Sequence, residues 1–185
     1  MTDSFYSENE LRNLGLKSFG NNVLISRKCS IYNAHEIVLG NNVRIDDFSL
    51  LSGNISIGNY VHISAYGALY RKAGIKIGNF CGMSPRSTIF SASDDFNGDF
   101  MISPMVPSDL VHLKTGPVEM MNYSQLGTNT VVMPSVTIKE GAVCGAYSLV
   151  LKDCEEWTVN FGIPCRFYKN RSRKCKELSE QNNLT

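Results

Sequence analysis

Aliphatic residues return at every sixth position along most of this chain, a spacing that excludes nearly every ordinary fold. One register runs from Leu39 through Ile45, Leu51, Ile57 and Ile63 to Leu69. A second carries Ile77, Met83 and Ile89, and a third Met120, Leu126, Val132, Ile138, Cys144 and Val150. A short early register joins Ile25, Ile31 and Ile37. Four places further on, the residue is usually small or β-branched, as at Val43, Ser49, Val61, Ser124, Thr130 and Ala142. An amphipathic helix repeats at 3.6 and a half-buried strand at 2, so a period of six fits neither. A β-sandwich does not hold one such phase over the 31 residues from Leu39 to Leu69. The pattern predicts an all-β solenoid of hexapeptide repeats. Each hexad supplies one short strand and one corner, and three hexads close a triangular coil of about 18 residues. Gly40-Asn41-Asn42, Gly58-Asn59 and Gly78-Asn79 are expected at corners, since Gly and Asn tolerate positive φ.

The phase slips by two residues at Ile37/Leu39 and at Ile75/Ile77, which predicts small corner insertions. The large break runs from about Ser91 to Gly116 and holds Pro104, Pro107, Phe96 and Phe100. A loop of that length inside a repeat array is usually functional. Three segments follow. Residues 1–20 form an N-terminal helical cap, with Ser7 and Glu10 as a capping box. Residues 21–165 form the β-helix with its loop at about 91–116. Residues 166–185 form a basic C-terminal segment expected to be helical, with six Lys/Arg and no acidic residue between Arg166 and Lys176. A solenoid needs both open ends covered.

With 18 Lys plus Arg against 17 Asp plus Glu, the formal charge is +1, which argues against a nucleic-acid partner. No apolar run approaches the ~18 residues of a membrane span. The first residues show no signal-peptide pattern, so a cytoplasmic location is expected. The six cysteines form no CxxC pair and none stands at zinc-ligand spacing with a histidine, so free thiols and no metal are expected.

From about residue 20 to 170 the chain resembles the hexapeptide-repeat acyltransferases, whose fold is the left-handed parallel β-helix. It is most similar to the galactoside and maltose O-acetyltransferase type of sugar acetyltransferase. Val131 to Asp153 resembles their last coils, Gly162-Ile163-Pro164-Cys165-Arg166 their closing motif, and Ile77 to Asp94 the coil leading into their acceptor loop. The resemblance implies acetyl-CoA as cosubstrate, a sugar or nucleotide-sugar acceptor, and a homotrimer with active sites between subunits. It places Gly145 and Ala146, and one coil earlier Gly127 and Thr128, against the pantetheine arm. Corner geometry explains the two glycines equally well. Lys152 matches the basic residue of the last coil. Arg166 and Lys169 match the pair that approaches the nucleotide phosphates, a role suited to the arginine fork.

One feature departs from that family. Its members follow this coil with a histidine general base, and here the position is Asp94, followed by Asp95. His62, near the acceptor-binding coil together with Ser64, and His112, in the loop, read equally as surface residues or as bases brought in from a neighbouring subunit. His35 reads as structural. A sugar hydroxyl is a very weak acid and needs a base with pKa near 7, whereas an ordinary Asp titrates near 3.9. A close Asp95 would raise the Asp94 pKa. A neutral amine needs only a place to shed its proton after attack, so loss of the histidine tilts the expected reaction modestly towards N-acetylation of a nucleotide-linked amino sugar over O-acetylation of a sugar; the resemblance implies that the product is a precursor of a surface polysaccharide. Two rivals remain. A carbonic anhydrase of the same fold needs three histidines around zinc, two of them close in sequence, and here the gaps are 27 and 50 residues. A non-catalytic scaffold would have no need of Lys152, the loop or the closing motif.

Overall fold

The computed structural model describes residues 4–184; residues 1–3 of the expected N-terminal cap and the last residue of the C-terminal segment lie outside it. Strands of two or three residues stack into three parallel walls. The first wall runs from Ser18–Phe19 to Thr137–Ile138, and the third from Ser30–Tyr32 to Leu149–Val150. The second starts at Leu24–Ile25 and has seven parallel rungs, ending at Thr158–Gly162. The predicted aliphatic positions fill the tube: Ile25, Ile45, Ile63, Leu69, Ile89, Met120, Leu126, Val132, Ile138 and Val150 are completely buried. Each pairs with its counterpart one coil away, as Leu39 with Ile57 and Leu126 with Cys144.

The phase slips have a common origin. Ile31 pairs with Leu51 and Leu69 with Ile89, two residues more than the 18 that separate Leu51 from Leu69. The extra residues sit at the corner from third wall to first, where Ala34–Glu36 makes a short 3-10 turn. The long loop leaves from the same corner, so the other two corners stay smooth along the tube.

At the corner from first wall to second, positive φ falls two residues after Gly40, Gly58 and Gly78, on Asn42, Tyr60 and Phe80, and in later coils on Tyr123, Gly141 and Trp157. The three earlier glycines answer a different need. A Cβ on Gly40 would stand 2.5 Å from the Asn59 Oδ1 and one on Gly58 2.3 Å from the Asn79 Oδ1. Those asparagines form a ladder in which each side-chain oxygen accepts the backbone N–H one coil away: Asn41 from Asn21, Asn59 from Asn41, Asn79 from Asn59 and Asn122 from Asn79, all at 2.8 Å. Outside it the left-handed residues stack their rings, Tyr60 on Phe80 at 4.9 Å and Phe80 on Tyr123 at 5.0 Å.

Both ends are covered. The helix Glu8–Asn13 buries Leu11, and the Glu10 carboxylate accepts from the Ser7 backbone N–H at 2.8 Å. Two Arg27 nitrogens also reach Glu10, at 2.7 Å each. The basic C-terminal segment is helical only over Lys174–Gln181. Its first part, Cys165–Asn170, is a strand that folds back antiparallel on Thr158–Gly162, because the last rung of the second wall leaves an unpaired edge. No helix among the described residues is long and apolar enough to cross a membrane.

The clamp on Glu10 gives a pH prediction. The Arg27 guanidinium and the Ser7 donors hold its carboxyl down at about 2. A depressed folded-state pKa adds stability that is full above the unfolded value and is lost as pH falls through the folded one. Amide exchange over Glu8–Asn13 should therefore accelerate, relative to the coils, as pH drops from about 4.5 towards about 2. Glu10→Gln should remove that dependence; an unchanged profile in the variant would place the sensitivity elsewhere.

Candidate active site

The inserted loop rises on a two-stranded base in which Ala92 pairs with Thr115 and Ser93 with Lys114. Asp94 is the first residue beyond that base and its side chain is exposed. It borders three adjoining hollows. One, of about 570 Å³, lies under the loop among Lys72, Val106, Val111 and Leu113. The second, of about 380 Å³, adds Asp95, Phe96, His112, Lys114 and Met133. The third, of about 440 Å³, is apolar, with Phe90, Met133, Leu149 and Leu151. Asp94 is thus the residue that all three hollows share.

Of the other predicted residues, His112 shares a hollow with Asp94, its ring tilted against Phe100 at 5.0 Å. Asp95 lines that hollow as well and organises the loop. Its carboxylate accepts from the backbone N–H groups of Asn97, Asp99 and Phe100 at 3.1, 2.9 and 3.3 Å. Those donors keep its pKa below the ordinary carboxylate value. His62 lies away from the loop on the outer face of the second wall. Its Nε2 is 2.7 Å from Asp46 Oδ2, and Arg44 donates to the other oxygen at 2.7 Å. Partial burial would raise the Asp46 pKa, but the bonds from His62 and Arg44 outweigh it and lower it.

Ser64, Gly127, Thr128, Gly145 and Ala146 sit at a different corner, from second wall to third. There Thr128 Oγ1 donates to the Pro85 carbonyl at 2.7 Å, and Ser87 Oγ to the Gly127 carbonyl at 2.8 Å. Packing accounts for the bare Cα of both glycines. A Cβ on Gly127 would meet the Ala146 backbone nitrogen at 2.5 Å, and one on Gly145 would enter the Phe161 ring. Arg166 and Lys169 are exposed on the returning strand Cys165–Asn170, among the exposed rings of Phe161, Phe167 and Tyr168. Lys152 is exposed at the loop's corner, one residue beyond Leu151 of the hollows. The predicted set thus falls on two corners of the triangle and one outer face.

Ser84 was not among the predicted residues. It occupies the corner position one coil beyond Ser64, whose N–H bonds to the Met83 carbonyl. Ser84 in turn donates its N–H to the Leu126 carbonyl, directly before Gly127. The column through Ser64 was the signal that pointed to it.

No protein-family model matches the chain. It is 39% identical over 178 residues, 95% of its length and 93% of the relative's, to a dTDP-4-amino-4,6-dideoxy-D-glucose acyltransferase of Escherichia coli. It overlays AntD, an N-acyltransferase from Bacillus cereus, with a TM-score of 0.96 and 42% identity, over 99% of this chain and 98% of that one, in a structure of the S84C variant with dTDP-4-amino-4,6-dideoxyglucose and coenzyme A. A hexapeptide-repeat acetyltransferase of Vibrio cholerae shares the fold at 20% identity, with a TM-score of 0.63 over 90% of this chain and 82% of that one. The chain therefore belongs to the hexapeptide-repeat acyltransferases with the left-handed β-helix fold. Other AntD structures carry the D94A and D94N changes, and this chain also has serine at 84 and aspartate at 94.

Proposed function

We propose that this enzyme transfers an acetyl group from acetyl-CoA to the 4-amino group of a dTDP-linked 4-amino-4,6-dideoxy sugar, as a cytoplasmic homotrimer supplying a surface polysaccharide. The observation that carries the reading is Asp94, a carboxylate bordering every hollow at the loop base where the wider family uses a histidine. A carboxylate orients an ammonium group and takes the proton that the amine sheds after attack, a lighter task than deprotonating a hydroxyl. The thioester carbonyl needs a donor as its oxygen becomes negative. Ser84 is the candidate, since its hydroxyl stands on the corner strip beside Gly127. The separation of the two groups supports assembly: Asp94 and the strip lie on different corners of one chain, and a site shared between neighbouring copies would bring one against the other.

Thiol release from acetyl-CoA should be seen with dTDP-4-amino-4,6-dideoxyglucose and not with neutral hexosides. Turnover of neutral sugars alone would overturn the amine reading. Coenzyme A binding without turnover on any acceptor would favour the scaffold. The nucleotide end has its own test. Arg166→Ala should raise the KM for acetyl-CoA about tenfold, as loss of one charge-assisted hydrogen bond does, with kcat little changed. Lys169→Ala should act in the same direction, more weakly and with greater salt dependence. An unchanged KM in both variants would move the phosphates off the strand.

A further inference from the structure

At its C-terminal end the tube changes composition. The inner column of the second wall reads Ile25, Ile45, Ile63, Met83, Leu126 and then Cys144. That of the first wall reads Leu39, Ile57, Ile77, Met120 and Ile138, which bridges to Cys154. The third member, Cys165, comes from the returning strand, opposite Gly162. The layer that elsewhere holds aliphatic side chains and methionine here holds three thiols from three separate stretches of chain. All three sulfurs lie within 4.8 Å of one another, Cys144 and Cys154 at 3.5 Å. Cys144 and Cys154 are buried, while Cys165 is partly exposed and offers an entry path. None of the three borders the hollows around Asp94.

We propose that Cys144, Cys154 and Cys165 bind one thiophilic divalent cation of the zinc and cadmium class, as a clasp on the last coil with no part in acyl transfer. The spacing suits it: a metal–sulfur bond of about 2.3 Å at tetrahedral angles sets the sulfurs about 3.8 Å apart, between the closest pair and the outer limit seen here. Branched aliphatics would fill the tube more completely, so apolar packing alone gives no reason for three thiols in one layer. Binding converts three thiols and M²⁺ into one M(SR)₃⁻ centre and releases three protons to the buffer; no electrons move. The fourth position stays on the solvent side, next to Cys165. Spacing in sequence conceals the site, because residues 144, 154 and 165 match no zinc motif and meet only when the coil closes and the strand returns.

The test is titration of the full, reduced chain with Cd²⁺, read by the thiolate-to-metal charge-transfer band and by thermal denaturation. One equivalent should bind and raise the Tm. Cys165→Ala and Cys144→Val should each weaken binding at least 100-fold, and Cys29→Ser and Cys175→Ser should leave it unchanged. The valine variant keeps an apolar side chain in the tube, and its own Tm without metal shows whether it is folded. Absence of a stoichiometric band would overturn the proposal, as would a band that survives Cys144→Val and Cys165→Ala. A disulfide between two of the three in protein purified under reducing conditions, seen as a loss of two hydrogens by mass, would overturn it too.

Discussion

Asp94→Asn lowers acyl transfer to the amino sugar by roughly 10²–10⁴-fold, the usual range for removing a positioned acid or base, and leaves the fold as stable as before. The two halves of that expectation have separate grounds. On the chemical side, the amide is isosteric with the carboxylate but neither attracts an ammonium group nor accepts its proton. On the structural side, Asp94 is exposed on a loop, and exposed substitutions stay within about 0.5 kcal/mol of neutral. The KM for acetyl-CoA should hold, while the KM for the amino sugar rises as kcat falls, because orientation and proton acceptance are lost together. His62→Ala and His112→Ala are the controls and should cost no more than about threefold, the scale of a lost peripheral contact. His62 is engaged with Asp46 on an outer wall, and the His112 ring packs on Phe100 in the shared hollow. A collapse in His112→Ala with Asp94→Asn active would restore a histidine base and remove the argument for an amine acceptor.

How far the sequence alone carried this reading follows from the range of each interaction. The hexad fixes which side chains point inward, so the tube, its phase slips and its long loop were legible residue by residue. The backbone conformation of the corners was not. Glycine was assigned to positive φ, its commonest use, yet at Gly40 and Gly58 it serves the neighbouring asparagine, and Tyr60 and Phe80 take the left-handed turn. That assignment depends on contacts 18 to 20 residues away, which a local reading of Gly-Asn does not contain. The returning strand Cys165–Asn170 was hidden for the same reason: its partner edge exists only once the last rung is laid down. In the candidate site, Asp94 was visible because it replaces an expected histidine. Ser84 was not, because a serine after an inward-pointing Met83 is also ordinary corner chemistry. The engagement of Asp95 with three loop amides is a property of the folded loop, and the bare sequence offers only two adjacent acids.

Gly127→Ala should be strongly destabilising, and it separates the two readings of the corner strip. The new Cβ would lie 2.5 Å from the Ala146 nitrogen and 2.7 Å from the Gly145 carbonyl carbon. Both atoms are backbone, so no side chain can turn aside, and the coils must part. Parting them strains the Gly127 N–H bond to the Cys144 carbonyl, at 2.7 Å, and the bond from Thr130 Oγ1 to the Gly145 carbonyl, at 3.0 Å and buried. Overpacking costs about 1–3 kcal/mol and each weakened buried hydrogen bond about another 1, so a total loss of about 2–4 kcal/mol is expected. Gly82→Ala is the matched comparison. Its Cβ would meet only the Gln125 Cγ, at an ordinary 3.7 Å, and its φ is not in the left-handed region. That variant should be neutral, or more stable by up to about 1 kcal/mol through a stiffer unfolded chain. Denaturant unfolding of the two side by side decides the matter. If Gly127→Ala unfolds with the wild type while its KM for acetyl-CoA rises, the coils yield without cost and the glycine is there for the pantetheine arm. If it loses stability as predicted, close stacking alone fixes glycine at 127, and a groove for the acyl donor on that corner is built from the same absence of a side chain that lets one coil rest on the next.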